Sequence, residues 1–238
     1  QANWSDNFDD GDTAGWMFLG NAGTPKSDIS VVGGELIMRQ SSYVNPLGSD
    51  FDQWVTGVQV SETFTDVVVR ATITPQQQVT LFNNTSQSNN YVFVAARTDT
   101  NGNGYLLAFD WGERDLNLFR AENGVPYDPA EFDPSTPAAT RLHGIDLTQT
   151  YVLELTIVGN NLTGRFYDAT GTTLIGEVTW TDNAYTQGYA GVGAAINPTM
   201  VETGQATFIA AGFDNVSASA IIPEPASLAL VGLGAMLV

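Results

Sequence analysis

A two-sheet antiparallel β-sandwich is the fold class that this sequence predicts, on three observations. Apolar and polar residues alternate with a period of two along most of the chain, clusters of Gly, Asn and Asp interrupt that alternation at short intervals, and helical periodicity is almost absent before residue 220. Residues 29–32 and 35–39 flank Gly33-Gly34 and read as a hairpin, because two glycines supply the positive φ angles of a tight turn. The β-branched run at 67–74 predicts a central strand, and 91–97, 105–110 and 116–121 predict a three-strand run. Residues 151–157 place Tyr151, Leu153, Leu155 and Ile157 on one face. Gly159-Asn160-Asn161 turns the chain into 162–167, and residues 168–171 turn it again into 172–180, which completes a meander. Strands at 189–196 and 205–217 close the set. The stretch from 123 to 142 carries Pro126, Pro129, Pro134 and Pro137 with Asp128, Glu131 and Asp133, and reads as a long solvated acidic loop.

Composition narrows the function classes. The 238 residues hold 8 Lys+Arg against 26 Asp+Glu, a formal charge of −18, which repels phosphate backbones and excludes nucleic acid as a partner. Hydrophobic residues make up 43%, enough for a core, so the charge does not signal disorder. With no Cys, thiol catalysis and Cys-based metal sites are impossible. His143 is the one imidazole, and it follows a Pro/Thr-rich stretch ill suited to a rigid catalytic base. No charged and apolar leader precedes Gln1, so the sequence reads as a mature chain from which an export signal has been removed.

The division expected is a sandwich over 1–219 and an apolar tail over 220–238. In the tail, Pro223-Glu224-Pro225 and the small pair Ala226-Ser227 precede an uninterrupted apolar run that includes Leu228, Leu230, Val231, Leu233, Met236, Leu237 and Val238. The prolines end any strand and free the run to begin a short helix. Residues 226–238 as a helix would span about 20 Å, short of the ~30 Å hydrocarbon core of a bilayer. Such a segment is a poor independent anchor, and its apolar side chains require cover from a partner or another copy. These residues closely resemble the PEP-CTERM sorting signal, although the Arg-rich cluster of that pattern does not follow Val238. The resemblance implies an exosortase-handled protein of a Gram-negative outer surface or extracellular matrix, which meets the membrane only during sorting.

Residues 6–12 (Asp-Asn-Phe-Asp-Asp-Gly-Asp) with Gly15-Trp16 and Gly33-Gly34-Glu35-Leu36 look like the opening of concanavalin A-like, or laminin-G-like, jelly rolls. Arg97-Thr98-Asp99 with Asn103-Gly104-Tyr105, and Tyr189-Ala190-Gly191 with Gly212-Phe213-Asp214, resemble their middle hairpin and closing strands. The resemblance implies an all-β jelly-roll sandwich and leaves function open among lectins, glucanases and structural modules. In related modules a structural calcium staples the first and last strands, which points here to Asp9, Asp12 and Asp214. Independently, Asp99, Asn101 and Asn103 satisfy the start of a calcium loop with Asp110 at the twelfth position, while the same letters also spell an Asn/Gly hairpin turn. No other cofactor is required.

The glucanase branch needs carboxylates spaced along one strand to flank a glycosidic bond. No such run exists: Glu154 has Val152 and Thr156 two residues away, and Glu113 and Asp115 lie in a turn beside Arg114. A non-enzymatic role is therefore expected. The leading expectation is a structural or adhesive surface protein that assembles with copies of itself into filaments or a sheath through its tail or an edge strand. The alternative is a surface-held module that binds extracellular polysaccharide, with Tyr105, Trp111 and Tyr127 as stacking rings. A glycoside hydrolase ranks third.

Overall fold

The computed structural model describes residues 3–20, 27–43, 53–81, 90–127, 129, 139–196 and 206–222. In chain order their strands are β1 (Asn3–Asp6), β2 (Trp16–Gly20), β3 (Ser27–Val32), β4 (Glu35–Tyr43), β5 (Gln53–Phe64), β6 (Val67–Leu81), β7 (Asn90–Thr98) and β8 (Gly104–Asp110), followed by β9 (Asp115–Glu122), β10 (Val125–Tyr127), β11 (Ala139–Arg141), β12 (Tyr151–Val158), β13 (Asn161–Tyr167), β14 (Leu174–Thr181), β15 (Gly188–Ile196) and β16 (Ala206–Ala220). The first sheet runs β14-β13-β12-β6-β16-β4-β3, with β1 on β16. The second runs β10-β9-β8-β7-β15-β5-β2, with β11 on β9. The two sheets form the antiparallel sandwich that the alternation predicts, and the β-branched strand β6 lies centrally between β12 and β16. The expected 123–142 loop contributes β10 and β11 at its ends, which extend the second sheet past β9. The tail residues Pro223, Glu224, Pro225 and 226–238 lie outside the described residues.

The core fills the space between the sheets. Leu153, Leu155 and Ile157 of β12 are fully buried, as are Val67, Val69, Ala71 and Ile73 of β6. From the second sheet, Val92 and Val94 of β7, Leu107 and Phe109 of β8, and Leu116 and Leu118 of β9 meet them. Tyr105 belongs to this set: it has the same parity as Leu107 and Phe109, is 0% exposed, and donates its hydroxyl to Asp182. Trp111 is also core, with its ring 5.3 Å from that of Phe109. Both were expected to offer a face to a sugar, and the correction follows from strand parity, which turns their rings inward.

One buried cation ties the end of the sandwich together. Arg97 is 2% exposed. It donates Nε to the Thr65 carbonyl at 2.7 Å, Nη1 to the Tyr185 carbonyl at 2.9 Å and Nη2 to the Gly159 carbonyl at 2.8 Å. Its Nη2 also lies 3.4 Å from Asp66. Three turns from both sheets thus share one guanidinium, which presents enough donors in a rigid fork to satisfy all of them.

The two outer faces differ. On the first sheet the register sets Arg70, Glu154, Arg165 and Glu177 side by side across four strands, joined by ion pairs of 2.8–3.5 Å. That face is a solvated charge ladder, and Glu154 is a structural member of it. On the second sheet the outer face carries its own apolar cluster, including Phe93, Ala95, Leu106, Ala108, Phe119 and Ala121.

Candidate ligand-binding cleft

The outer face of the second sheet carries a second, smaller core: Phe93, Leu106 and Phe119 are buried there, and half-buried Trp54 and Tyr91 pack against them at the rim of a cleft. Register fixes which residues meet there. Trp54 of β5 lies opposite Ala195 of β15, Ala195 opposite Tyr91 of β7, and Tyr91 opposite Asp110 of β8. In the next row Thr56 lies opposite Gly193, Gly193 opposite Phe93, and Phe93 opposite Ala108. Small residues thus alternate with rings. A Cβ at Gly193 would run into the Phe93 ring, so that glycine lets the ring settle onto the strand.

Trp54 closes the cleft. Strand twist lifts opposite corners of a sheet toward each other, and the Trp54 indole reaches the β7–β8 and β9–β10 turns. A Cβ at Gly102 would stand 2.6 Å from indole Cη2, and one at Gly124 would overlap the ring. The two turns are fastened together, because Gly124 N–H donates to the Gly102 carbonyl at 3.1 Å and Asn123 N–H to Asn103 Oδ1 at 2.8 Å. The cleft beneath is lined by Trp54, Tyr91, Phe93, Phe119, Thr98 and Pro126 among others, and encloses about 390 Å³ counting the part open to solvent. Of that space about 10 Å³ is free for a water-sized group. Tyr91 stands edge-on to Phe119 with centroids 5.2 Å apart. Trp54 and Tyr91 are half-buried at the rim of this cluster.

Gly124 has φ +80°, which alanine adopts only with strain, and any side chain there meets the indole. Gly124→Ala is therefore expected to expel Trp54 and to cost about 1–3 kcal/mol. A shift in tryptophan emission together with a lower urea midpoint checks this.

The same face ends in two acids. Asp110 is 1% exposed, and its Oδ1 accepts the Gly112 N–H at 2.7 Å and the Glu113 N–H at 3.1 Å. Burial pushes its carboxyl up to about 7, the negative charges of Glu113 and Asp115 adding to the effect against those two hydrogen bonds. Asp115 lies directly across the β8–β9 pair, 3.5 Å from Arg141 of β11.

The remaining expected site residues sit elsewhere. Tyr127 pairs with Arg120 in register, and its neighbour Pro126 lines the cleft. The Asp99 carboxylate accepts the Asn101 N–H at 2.8 Å, the Asn103 N–H at 3.0 Å and the Asn103 amide at 2.8 Å, so 99–103 is the hairpin turn and these oxygens serve the turn. Asp110 belongs to the sheet face rather than to a twelfth-position ligand. Asp9 and Glu35 add their negative charge at Asp214, whose carboxyl is pushed up chiefly by burial. Both Asp214 oxygens accept from Asn215, and Asp12 Oδ1 closes its own turn on the Ala14 N–H. Among the described residues, no three carboxylate or imidazole groups converge as a metal cradle. Trp54, Tyr91, Phe93 and Phe119 were not anticipated, although the unbroken apolar run from Tyr91 to Ala96 signals a strand buried on both faces.

No family model and no curated protein matches the chain in sequence. Its fold is a jelly-roll β-sandwich like those of the VIP36 exoplasmic/lumenal domain and basic winged bean lectin. The Ca²⁺-bound exoplasmic/lumenal domain of VIP36 superposes with a TM-score of 0.52 at 10% identity, covering 89% of this chain and 86% of that one. Basic winged bean lectin with Tn-antigen gives 0.50 at 8% identity over 92% and 98% of the two chains. The carbohydrate-binding module CBM66 from Bacillus subtilis gives 0.47 at 19% identity over 86% and 96%. At these identities the likeness to the first two establishes the fold alone.

Proposed function

We propose that this chain binds glycans, and that a sugar ring lays its C–H face on the exposed parts of Trp54 and Tyr91 at the mouth of the outer-face cleft. The observation that supports this most is the apolar, ring-bearing cluster on a sheet face that the sandwich core does not use. Flat side chains suit this ligand, since a sugar ring is apolar on its faces and polar at its rim. The likeness in fold to a lectin, and to VIP36 in a Ca²⁺/Man2-bound form, agrees with the reading. Assembly into filaments, the leading expectation from the sequence, rests on the tail, which lies outside the described residues, or on an edge strand, whereas glycan binding has a described cleft in its favour.

Affinity electrophoresis against soluble β-glucan, mannan, galactan, levan and xylan tests the proposal. Retardation by at least one polymer is expected, weakened roughly tenfold or more in Trp54→Ala and in Tyr91→Ala. A wild-type chain retarded by none, or variants that bind as tightly as wild type, would sink it. We propose in addition the exported, surface-held setting that Pro223-Glu224-Pro225 implies, which would bring the cleft to extracellular polysaccharide. Fractionation of the native cells, with the protein found in the cytoplasm, would count against that setting.

A further inference from the structure

We infer that Thr98 is the specificity-determining polar contact of this cleft, its hydroxyl holding one hydroxyl group of the bound sugar. The inference rests on the glycan-binding reading and deepens it. Thr98 is 2% exposed, lines the cleft, and its Oγ1 finds no hydrogen-bond partner among the described residues. A buried hydroxyl left without a partner costs stability, and such orphans are rare enough that each calls for a reason.

The backbone shows how the hydroxyl reaches that position. Along β7 and β15, Gly191 pairs with Ala95 but Tyr189 pairs with Thr98, so three steps on β7 match two on its partner. The extra residue is Arg97, held at φ +50°. This β-bulge breaks the period of two: Arg97 turns its guanidinium to the turns at the end of the sandwich, and Thr98, the next residue, faces the outer cleft. Bulges re-aim side chains in this way beside functional sites. Thr56 supplies a second buried hydroxyl to the lining, and Phe93, Leu106 and Phe119 are among its apolar groups; of the two threonines only Thr98 has an Oγ1 without a hydrogen-bond partner among the described residues.

Size and chemistry narrow what reaches Thr98. The cleft as a whole leaves about 10 Å³ free for a water-sized group, and Thr98 is 2% exposed, so a hydroxyl-sized arm and not a ring fits inside. A ring stacked outside on Trp54 and Tyr91 would send one hydroxyl-bearing arm inward. A threonine hydroxyl both donates and accepts, so it can pair with a sugar hydroxyl in either sense.

Thr98→Val removes the hydroxyl at nearly constant shape, and Thr98→Ser keeps it. Both variants and wild type are run against the five polysaccharides above, together with thermal melts without ligand. Thr98→Val is expected to melt at or above the wild-type midpoint yet to bind the retarding polymer about tenfold more weakly, and Thr98→Ser to retain binding. A Thr98→Val variant that binds like wild type while Trp54→Ala fails overturns the inference and leaves glycan binding standing. A Thr98→Val variant that melts well below wild type also overturns it, since the hydroxyl then serves the fold. Absence of wild-type binding to all five removes the reading beneath it, and the inference with it.

Discussion

Arg97→Met will lower the stability of the sandwich by about 3–5 kcal/mol, the range seen when one partner of a buried polar arrangement is removed. Methionine keeps the length and apolar stem of the side chain, and leaves the carbonyls of Thr65, Tyr185 and Gly159 without their guanidinium donors. Asp66 keeps the Gly159 N–H, donated at 2.8 Å, but loses its cation. Position 97 sits at φ +50° in a bulge, a strain that both side chains bear, so the comparison isolates the polar contacts. For a chain of this length the loss corresponds to a melting midpoint lower by about 10 °C. Arg97→Lys recovers only a fraction, because an ammonium on a flexible stem cannot meet carbonyls in three directions. Calorimetry of the three proteins checks the ranking, and a Met variant within 1–2 °C of wild type refutes the hub.

Asp110→Asn will raise stability at pH 8 and flatten its pH dependence. The ordinary value of the group is 3.8, and in the fold burial raises it to about 7. Below the ordinary value both folded and unfolded chains hold the proton, and Asp110 contributes no pH dependence. Between about 4 and 7 the unfolded chain releases it while the folded chain keeps it, so stability falls as pH rises through that window. Above 7 the full penalty remains, on the order of 4 kcal/mol for a gap of about three pH units. Asparagine retains an oxygen to accept the Gly112 and Glu113 N–H groups and carries no charge to desolvate. Urea unfolding of both proteins from pH 4 to 8 provides the measurement, and parallel curves would show that Asp110 ionises freely in the fold.

How much could be read in advance varies by element and for physical reasons. Strands β12 and β13 were legible because one of their faces meets solvent: the polar residues Glu154, Thr156, Thr163 and Arg165 mark the outer face, and Leu153, Leu155, Leu162 and Phe166 the inner. Strand β8, buried along its whole length, has no such contrast. Its existence is clear from Tyr105 to Phe109, but alternation does not say which of those side chains enters the core and which the cleft. Tyr105, a candidate stacking ring on the sequence, is thus a core residue, while Leu106 and Ala108 face the cleft. The Asp-x-Asn-x-Asn-Gly run at 99–104 was ambiguous for another reason: a metal loop and a hairpin turn both ask for short carboxyl and amide side chains next to glycine. In the fold Asp99 accepts the Asn103 amide at 2.8 Å, the hydrogen bonding of the turn reading.

Period and turn chemistry are local properties, and from them the chain by itself determined an all-β sandwich, its hairpins and its central β6. The cleft belongs to tertiary structure alone. Trp54 meets Gly102 and Gly124, and Tyr91 meets Phe119, only after strands far apart in sequence have paired in one register and the sheet has twisted. A single bulged residue, Arg97, then reverses the parity of Thr98, a displacement that no count of alternating residues along β7 contains.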